Sequence, residues 1–181
     1  MKILTMKFGG TSVADIDRIR AVRDIISNEI KDGWNVVAVV SAMSKETNKL
    51  IDLAKQVGVE NLVDPEYDSL ISTGEDVSSS LLAIALNSIE ISSRSWRGWQ
   101  LPIRTDSFHS NAKIEEIETN QIINSFKEGV KVAVVSGFQG IEQAGRITTL
   151  GRGGSDTSAV AIAATLDAER CDIYTDVSGI Y

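Results

Sequence analysis

The run Asn35-Val36-Val37-Ala38-Val39-Val40-Ser41 has an apolar side chain at every position from 36 to 40. A strand with one face in water alternates apolar and polar residues, whereas a continuous apolar run fits a strand that is covered on both faces. A second run of the same kind extends from Lys131 to Ser136. The two runs predict buried strands of a largely parallel sheet.

The segments around these two strands alternate between strand and helix patterns. Further strands are predicted at 2–8, 89–91, 103–105 and 171–175, and helices at 16–30, 47–57, 75–87, 112–127 and 159–166. Residues 58–72 are predicted to be irregular because Pro65 interrupts them, and 137–150 to form a hairpin that turns at 143–145. This alternation indicates an α/β fold, with helices on both faces of the sheet.

Composition narrows the class of protein. A chain of 181 residues fits one domain, and its net charge of −7 argues against a nucleic acid as partner. The single cysteine, Cys171, cannot form an internal disulfide, which fits a reducing compartment. No apolar run approaches the roughly 20 residues that cross a bilayer, and the first residues are too quickly polar for a signal peptide. We therefore expect a cytoplasmic protein without a membrane segment.

Lys7 and Phe8 end the first predicted strand, and Gly9-Gly10-Thr11-Ser12 follow it directly. Glycines at this place let backbone N–H groups approach an anion, and the lysine adds a positive charge. The order of residues differs from a P-loop, in which the lysine follows the glycines. Read without further information, the segment is either a tight turn or an anion site.

Thr149-Leu150-Gly151-Arg152-Gly153-Gly154-Ser155-Asp156-Thr157 precedes an apolar helix. Ser155 or Asp156 could cap that helix, which is the simpler interpretation for either residue alone. Capping does not explain Arg152, whose guanidinium could grip a carboxylate or phosphate beside a helix N-terminus. The glycines would give a ligand access to it. The loop is therefore a candidate anion site.

Ser72-Thr73-Gly74-Glu75 also precedes a helix. The glutamate could take part in capping the helix N-terminus, where the helix dipole favours a carboxylate, or it could face the ammonium of a substrate. The local pattern alone favours the capping role. Ser41 and Thr175-Asp176 follow predicted strands, where ligand sites of α/β proteins gather. His109 is the only histidine and is predicted to be structural. The sequence contains no cluster of Cys and His residues that would indicate a zinc site.

Taken in order, these segments resemble the aspartate kinases of the amino-acid kinase family. The segments that carry the resemblance are KFGGTSV at 7–13, VVSAMS at 39–44, STGE at 72–75, GFQG at 137–140, TLGRGGSDT at 149–157 and YTDVSGIY at 174–181. One departure is Asp76, which stands where many relatives have an uncharged glutamine. We expect it to add negative charge near the substrate.

The resemblance implies a three-layer α/β/α fold and the ATP-dependent phosphorylation of the β-carboxylate of L-aspartate. This reaction begins the biosynthesis of lysine, threonine and methionine. It implies that Lys7 and Asp156 are catalytic, Asp156 by organising the lysine. The other implied residues surround aspartate (Ser41, Thr47, Glu75, Phe138, Arg152, Gly153, Gly154 and Ser155) or bind the nucleotide (Lys7, Phe8, Gly9, Gly10, Thr175, Asp176 and Tyr181).

By the same resemblance, Arg152 would take the α-carboxylate of aspartate and Glu75 its α-ammonium. The nucleophile would be a carboxylate with an ordinary pKa of about 3.9, which is ionised at neutral pH and needs no general base. Lys7, backbone N–H groups and the Mg²⁺ carried by ATP would offset the repulsion between the two anions.

The length of the chain leaves alternatives open. Aspartate kinases continue well past YTDVSGIY, so residues 1–181 are expected to be a catalytic domain that lacks part of its nucleotide site, and the complete protein is expected to be a homodimer. One alternative is a non-catalytic fragment that binds aspartate. Another is a sister kinase acting on acetylglutamate, glutamate, carbamate or a nucleoside monophosphate.

Overall fold

The computed structural model describes residues 1–58 and 63–175. In chain order its elements are β1 (Ile3–Phe8), α1 (Ile16–Lys31), β2 (Asn35–Val40), α2 (Glu46–Val57), α3 (Pro65–Ile71), α4 (Thr73–Asn87), β3 (Ser93–Trp96), β4 (Ile103–Thr105), β5 (Ile114–Ile117), α5 (Asn120–Lys127), β6 (Val132–Ser136), β7 (Gln139–Ile141), β8 (Ile147–Thr149), α6 (Gly154–Thr165) and β9 (Arg170–Tyr174).

A parallel sheet with the strand order β3-β6-β2-β1-β9 forms the centre of the molecule. In β1, Leu4 pairs with Val36 of β2 on one side and with Arg170 of β9 on the other. Because all the paired strands run in the same direction, their carboxyl ends meet at one edge of the sheet. This edge holds the residues that follow β1, β2, β6 and β9.

The predicted three layers are present, and β2 explains why its sequence is apolar throughout. Val36, Ala38 and Val40 face a cluster with α1 and α4, whereas Val37 and Val39 face a second cluster with α5 and α6. Successive strand residues point to opposite faces, so a sheet covered on both sides buries every one of them. All five side chains are fully buried.

A smaller mixed sheet with the order β5-β4-β7-β8 packs beside the main one. Its β7 and β8 form the predicted hairpin, in which Gly140 pairs with Thr148 and Gly145 has a φ of 80° at the turn. The Gly145 N–H donates to the Glu142 carbonyl at 2.9 Å. The hairpin leads directly into the arginine loop, residues 150–153 between β8 and α6.

Two of the predicted segments were wrong. Residues 58–72 include α3, because Pro65 occupies the first turn of a helix, where its fixed φ is favourable, and Asp64 caps that helix by accepting from the Glu66 N–H at 2.7 Å. Residues 112–127 are not one helix. They contain β5 and then α5, which begins after Thr119.

Other boundaries also differ from the predictions. The strand predicted at 89–91 lies instead at β3, and α6 begins at Gly154 rather than at 159. Neither Ser155 nor Asp156 caps α6, because the N-cap is Gly153 and both residues lie inside the first turn. None of the helices in the described parts of the chain is long and apolar enough to cross a membrane.

Candidate active site

A cavity of about 530 Å³ opens at the carboxyl edge of the main sheet. It is lined by residues that follow β1, β2, β6 and β9, together with Glu75 of α4 and the arginine loop. The lining consists of Lys7, Gly9, Gly10, Thr11, Ser41, Ala42, Met43, Ser44, Lys45, Thr47, Asn48, Glu75, Phe138, Gly151, Arg152, Gly153, Gly154, Ser155, Asp156, Tyr174 and Thr175.

Lys7 and Asp156 meet on one wall of this cavity. The Lys7 Nζ atom lies 2.6 Å from Asp156 Oδ1, and the lysine side chain is 11% exposed. The contact is an ion pair without hydrogen-bond geometry, since Asp156 Oδ1 accepts no hydrogen bond from the described residues. Asp156 lies in the first turn of α6, where the helix dipole favours a carboxylate. The pair holds a cation at the mouth of the β1 turn.

Gly9 and Gly10 give the turn after β1 the space that this arrangement needs. A Cβ atom on Gly9 would lie 3.4 Å from Lys7 Nζ, and one on Gly10 would lie 3.0 Å from the Ala42 carbonyl oxygen. The backbone after β1 therefore passes close to both the lysine and the end of β2. Without side chains at these positions, the ammonium and the local N–H groups remain accessible to an anion.

Glu75 is a buried carboxylate with one uncommitted oxygen. Its side chain lies in the first turn of α4 and the residue is 4% exposed. Oε1 accepts from the Ala42 N–H at 3.0 Å, whereas Oε2 is buried and has no hydrogen-bond partner among the described residues. Burial raises the pKa of Glu75 to about 7, although backbone hydrogen bonds oppose the shift. A cationic donor in the cavity would satisfy this oxygen.

The arginine loop lines the same cavity as Glu75. Gly151 and Gly153 have φ angles of 75° and 73°, which glycine adopts readily and other residues rarely. The loop ends at α6, so Arg152 lies beside the positive end of a helix dipole. The guanidinium is exposed and lines the cavity.

Gly137 and Phe138, which connect β6 to β7, pack against the start of α6. Phe138 has a left-handed φ of 68°, and its N–H donates to Ser158 Oγ at 3.1 Å. A Cβ atom on Gly137 would lie 2.8 Å from Ser155 Oγ, and one on Gly154 would lie 2.9 Å from Phe138 Cδ2. The backbones of the two elements are therefore in close contact where they line the cavity.

The structure brings most of the predicted site residues to this one cavity. They are Lys7, Gly9, Gly10, Ser41, Thr47, Glu75, Phe138, Arg152, Gly153, Gly154, Ser155, Asp156 and Thr175. Phe8 is not brought there, because alternation along β1 turns its side chain into the core, where it is fully buried and stacks on Tyr174 with ring centroids 4.7 Å apart. Asp176 and Tyr181 lie outside the described residues.

Several residues of the lining were not predicted as site residues. Lys45 and Asn48 lie at the start of α2, and Tyr174 ends β9. The signal that could have found them is position, because each lies at or soon after the carboxyl end of a parallel strand. Lys45 also has a left-handed φ of 67°, which is uncommon for a lysine.

Asp76 does not lie on the cavity wall. Its Oδ1 atom accepts from Ser136 Oγ at 2.9 Å and from Gln139 Nε2 at 3.1 Å, and its Oδ2 lies 3.2 Å from Arg97 Nε. The negative charge expected near the substrate is therefore paired with a guanidinium behind the wall. It still contributes slightly to raising the pKa of Glu75.

The ionisable groups of the cavity suit a ligand with both charges. Lys7, Lys45 and Arg152 carry cationic groups, and Glu75 and Asp156 carry carboxyl groups. Within the described residues, no group of three or more His, Cys, Asp or Glu side chains could hold a metal ion. The site can therefore bind anionic groups of a ligand through its lysine and arginine side chains, and a cationic group of the same ligand through Glu75.

A sequence profile described as the amino acid kinase family matches residues 2–181. The chain belongs to this family. Among the relatives of this chain, the aspartokinase of Bacillus sp. (strain MGA3) is 52% identical over the whole chain. The chain spans 44% of that relative's length.

Two solved aspartate kinases have the same fold as this chain. The enzyme from Synechocystis is 46% identical with a TM-score of 0.81, and the match covers 98% of this chain and 29% of that one. E. coli aspartokinase III in complex with aspartate and ADP is 28% identical with a TM-score of 0.85, over 99% of this chain and 50% of that one. The predicted fold class is thereby confirmed.

Proposed function

We propose that residues 1–181 are the N-terminal portion of the catalytic domain of an aspartate kinase, which transfers the terminal phosphoryl group of ATP to the β-carboxylate of L-aspartate. The observation that supports this most strongly is the convergence of Lys7, Glu75, Arg152 and Asp156 on one cavity. A relative 52% identical over the whole chain is an aspartokinase, which supports the same assignment.

The amino-acid end of the substrate would be held between Arg152 and Glu75. Arg152 offers two parallel N–H donors to the α-carboxylate, and the uncommitted Oε2 of Glu75 accepts from the α-ammonium. Ser41, Thr47, Phe138 and Ser155 then surround the remainder of aspartate, with the backbone of Gly153 and Gly154. Binding the ammonium favours the ionised form of Glu75, which burial alone disfavours.

The phosphate end of the site would be the turn after β1. Lys7 and the backbone at Gly9 and Gly10 would hold the transferring phosphates, and Asp156 fixes the lysine by the 2.6 Å ion pair. The solved structure of E. coli aspartokinase III is a complex with aspartate and ADP. In this protein we place the nucleotide beside the turn after β1, with its pocket beginning at Thr175. Mg²⁺ would arrive with the nucleotide, which is the usual mode for this ion.

The reaction needs positioning and charge stabilisation rather than a base. The β-carboxylate is ionised at neutral pH, so it attacks the phosphorus without losing a proton. Lys7 offsets the repulsion between the two reactants and the charge on the transferring group. His109 does not line the cavity, in agreement with a mechanism that uses no histidine.

Matched ligands test the proposal. Succinate is aspartate without the ammonium, and β-alanine is aspartate without the α-carboxylate. Calorimetry of the 181-residue chain should show that L-aspartate binds more tightly than both. Glu75→Gln should abolish the preference over succinate, and Arg152→Ala the preference over β-alanine. Equal affinities of the wild-type chain for all three ligands would contradict the proposal.

Turnover separates kinase activity from binding alone. ADP release is measured with the protein encoded by the complete reading frame, here called the complete protein, and with the 181-residue chain. We expect L-aspartate to be preferred over glutamate, acetylglutamate, carbamate and nucleoside monophosphates. Preference for one of these would identify a sister kinase. The fact that the chain spans 44% of a relative's length favours binding without turnover by the 181-residue chain alone.

A further inference from the structure

A second buried carboxylate, Asp68, lies outside the cavity but is bonded to the segments that carry the arginine loop. It is in α3 and is fully buried. Both of its oxygens accept hydrogen bonds, so the side chain has the bonding pattern of an ionised carboxylate. It does not line the cavity and no site motif contains it.

One set of bonds holds the residue at the end of β8. The Thr149 N–H donates to Asp68 Oδ2 at 2.9 Å, and the Thr149 hydroxyl donates to Oδ1 at 2.7 Å. Thr149 is the last residue of β8, and the arginine loop begins with the next residue. Asp68 therefore fixes the point from which the loop departs.

A second set of bonds holds the segment against which the loop packs. The Ser110 N–H lies 3.1 Å and 3.0 Å from the two Asp68 oxygens, and His109 Nδ1 lies 2.9 Å from Oδ2. Ser110 has a left-handed φ of 65°, which persists only where its surroundings hold it. Asp68 supplies that restraint.

Gly151 connects the two sets of bonds to Arg152. A Cβ atom on Gly151 would lie 2.7 Å from Asn111 Oδ1 and 3.3 Å from the Ser110 carbonyl oxygen. The loop is therefore pressed against the residues that Asp68 orders, just before Arg152. Two backbone hydrogen bonds also hold the loop, from the Leu150 N–H to the Phe138 carbonyl at 2.9 Å and from the Gly154 N–H to the Gly151 carbonyl at 3.1 Å. The glycine backbone at 151 and 153 supplies little rigidity of its own.

We infer that Asp68 is a positioning residue for substrate binding, which sets the place of Arg152 by bonding the end of β8 and the Ser110 segment to one carboxylate. The inference rests on the proposed function, in which Arg152 takes the α-carboxylate of aspartate. Asp68 touches no substrate. It acts through Thr149, Ser110 and Gly151.

Asp68→Asn tests this role with little change of volume. The amide presents a donor where the carboxylate presents an acceptor, so it opposes the N–H of Thr149 or of Ser110. In the complete protein we expect the KM for L-aspartate to rise about tenfold or more, with kcat and the KM for ATP little changed. The preference for L-aspartate over β-alanine should fall, because it depends on Arg152.

Thr149 supplies a milder matched pair. Thr149→Val removes one hydroxyl bond to Asp68, whereas Thr149→Ser keeps it. We expect Thr149→Val to raise the KM for aspartate and to lower the preference over β-alanine, and Thr149→Ser to behave as the wild type. This pair decides the question if Asp68→Asn does not fold. Equal KM values for aspartate in the two Thr149 variants, or a loss of kcat alone in Asp68→Asn, would overturn the inference. Asp68 would then have only a structural role.

Amide hydrogen exchange measures the loop without relying on aspartate. In whichever of the variants Asp68→Asn and Thr149→Val folds, amides of the arginine loop should exchange faster than in the wild type, while those of β2 stay protected. Unchanged exchange in the loop would overturn the inference. The wild type could fail to bind aspartate while amide exchange in the arginine loop still rises in the variants. In that case the proposed function fails, but the positioning of the loop by Asp68 stands.

Discussion

The ammonium of Lys7 lies 2.6 Å from the carboxylate of Asp156 and joins β1 to the first turn of α6. The two residues are distant in the sequence, and they meet because β1 lies inside the sheet, between β2 and β9, with α6 packed against it. The ion pair orients the cation beside the glycine turn. A side chain placed in this way contributes most where negative charge develops during the reaction.

Lys7→Ala in the complete protein should lower kcat by about 10²-fold or more, because one preorganised charge contact to the transferring group is lost. Calorimetry should show nearly unchanged affinity for aspartate, whose amino-acid end is held elsewhere. Lys2→Ala is the matched control, since Lys2 Nζ lies 3.9 Å above the Trp34 ring at the other end of β1. Full turnover in Lys7→Ala would exclude the proposed mechanism.

Aspartate affinity should depend on pH through Glu75. Its pKa of about 7 means that the free site is partly protonated at neutral pH, and a protonated carboxyl does not pair with an ammonium. As the pH falls from about 7 to about 5, the affinity should decrease about tenfold per pH unit, because the ligand must displace a proton. Calorimetry across this range should show no such decrease in Glu75→Gln. A wild-type affinity that is flat over the range would contradict the role of Glu75.

Glu75 also affects stability, with the opposite pH trend. Its pKa rises from an ordinary 4.5 to about 7 in the folded chain, so between these values the folded state holds a proton that the unfolded state has released. The contribution of Glu75 to the free energy of unfolding should therefore decrease by about 3 kcal/mol as the pH rises through this window.

Urea unfolding of the wild type and of Glu75→Gln measures this contribution as a difference in pH dependence. The variant cannot titrate at this position and should lack the decrease. Glu118→Gln is the control, because Glu118 pairs with Arg104 at the surface and should leave the wild-type trend intact. Parallel curves for the wild type and Glu75→Gln would show that Glu75 titrates normally.

Gly137→Ala should loosen the junction between β6 and α6. The new methyl group would lie 2.8 Å from Ser155 Oγ and 3.1 Å from Ser155 Cα, so the helix start must move. We expect a loss of about 1–3 kcal/mol in the free energy of unfolding, together with weaker aspartate binding. Gly145→Asn is the control, since nothing lies within 4 Å of that position and asparagine tolerates its φ of 80°. Equal stability of the two variants would show that the junction has room.

Asp76→Asn should affect stability more than binding. It removes the ion pair with a partly exposed Arg97 but keeps an oxygen for Ser136 and Gln139, so we expect a loss of about 1 kcal/mol. Aspartate affinity at pH 8 should stay within about twofold of the wild type, because Asp76 lies behind the cavity wall. A tenfold change in affinity would mean that this charge acts on the substrate directly.

The centre of the fold was predictable because β2 and β6 are buried on both faces, which leaves a continuous apolar run in the sequence. Residues 112–127 misled because Ile114 and Ile117 are three residues apart, a spacing that also fits a helix, while Thr119 gave no strong sign of a break. A secondary-structure prediction from residue propensities uses only residues that are near one another in the sequence. The pairing of Ile117 with Ile103, which makes it a strand, is a contact between distant parts of the chain.

The site was predictable where its residues follow strands and lie among glycines. Lys7, Arg152 and Glu75 each stand beside such a signal, and each lines the cavity. Asp68 had no such signal, since it falls in a segment that was predicted to be irregular and its partners, Ser110 and Thr149, come from two distant parts of the chain. Residues that act through hydrogen bonds across the fold leave no local pattern.

The strand order has a consequence for synthesis on the ribosome. β1 and β2 emerge first, but β1 gains its second neighbour only when residues 170–174 of β9 have been translated. Until then, a strand that lies inside the finished sheet exposes a row of unpaired amides and carbonyls, a feature that favours incorrect association of nascent chains. The growing polypeptide thus carries an unpaired strand edge from the synthesis of β1 until that of β9.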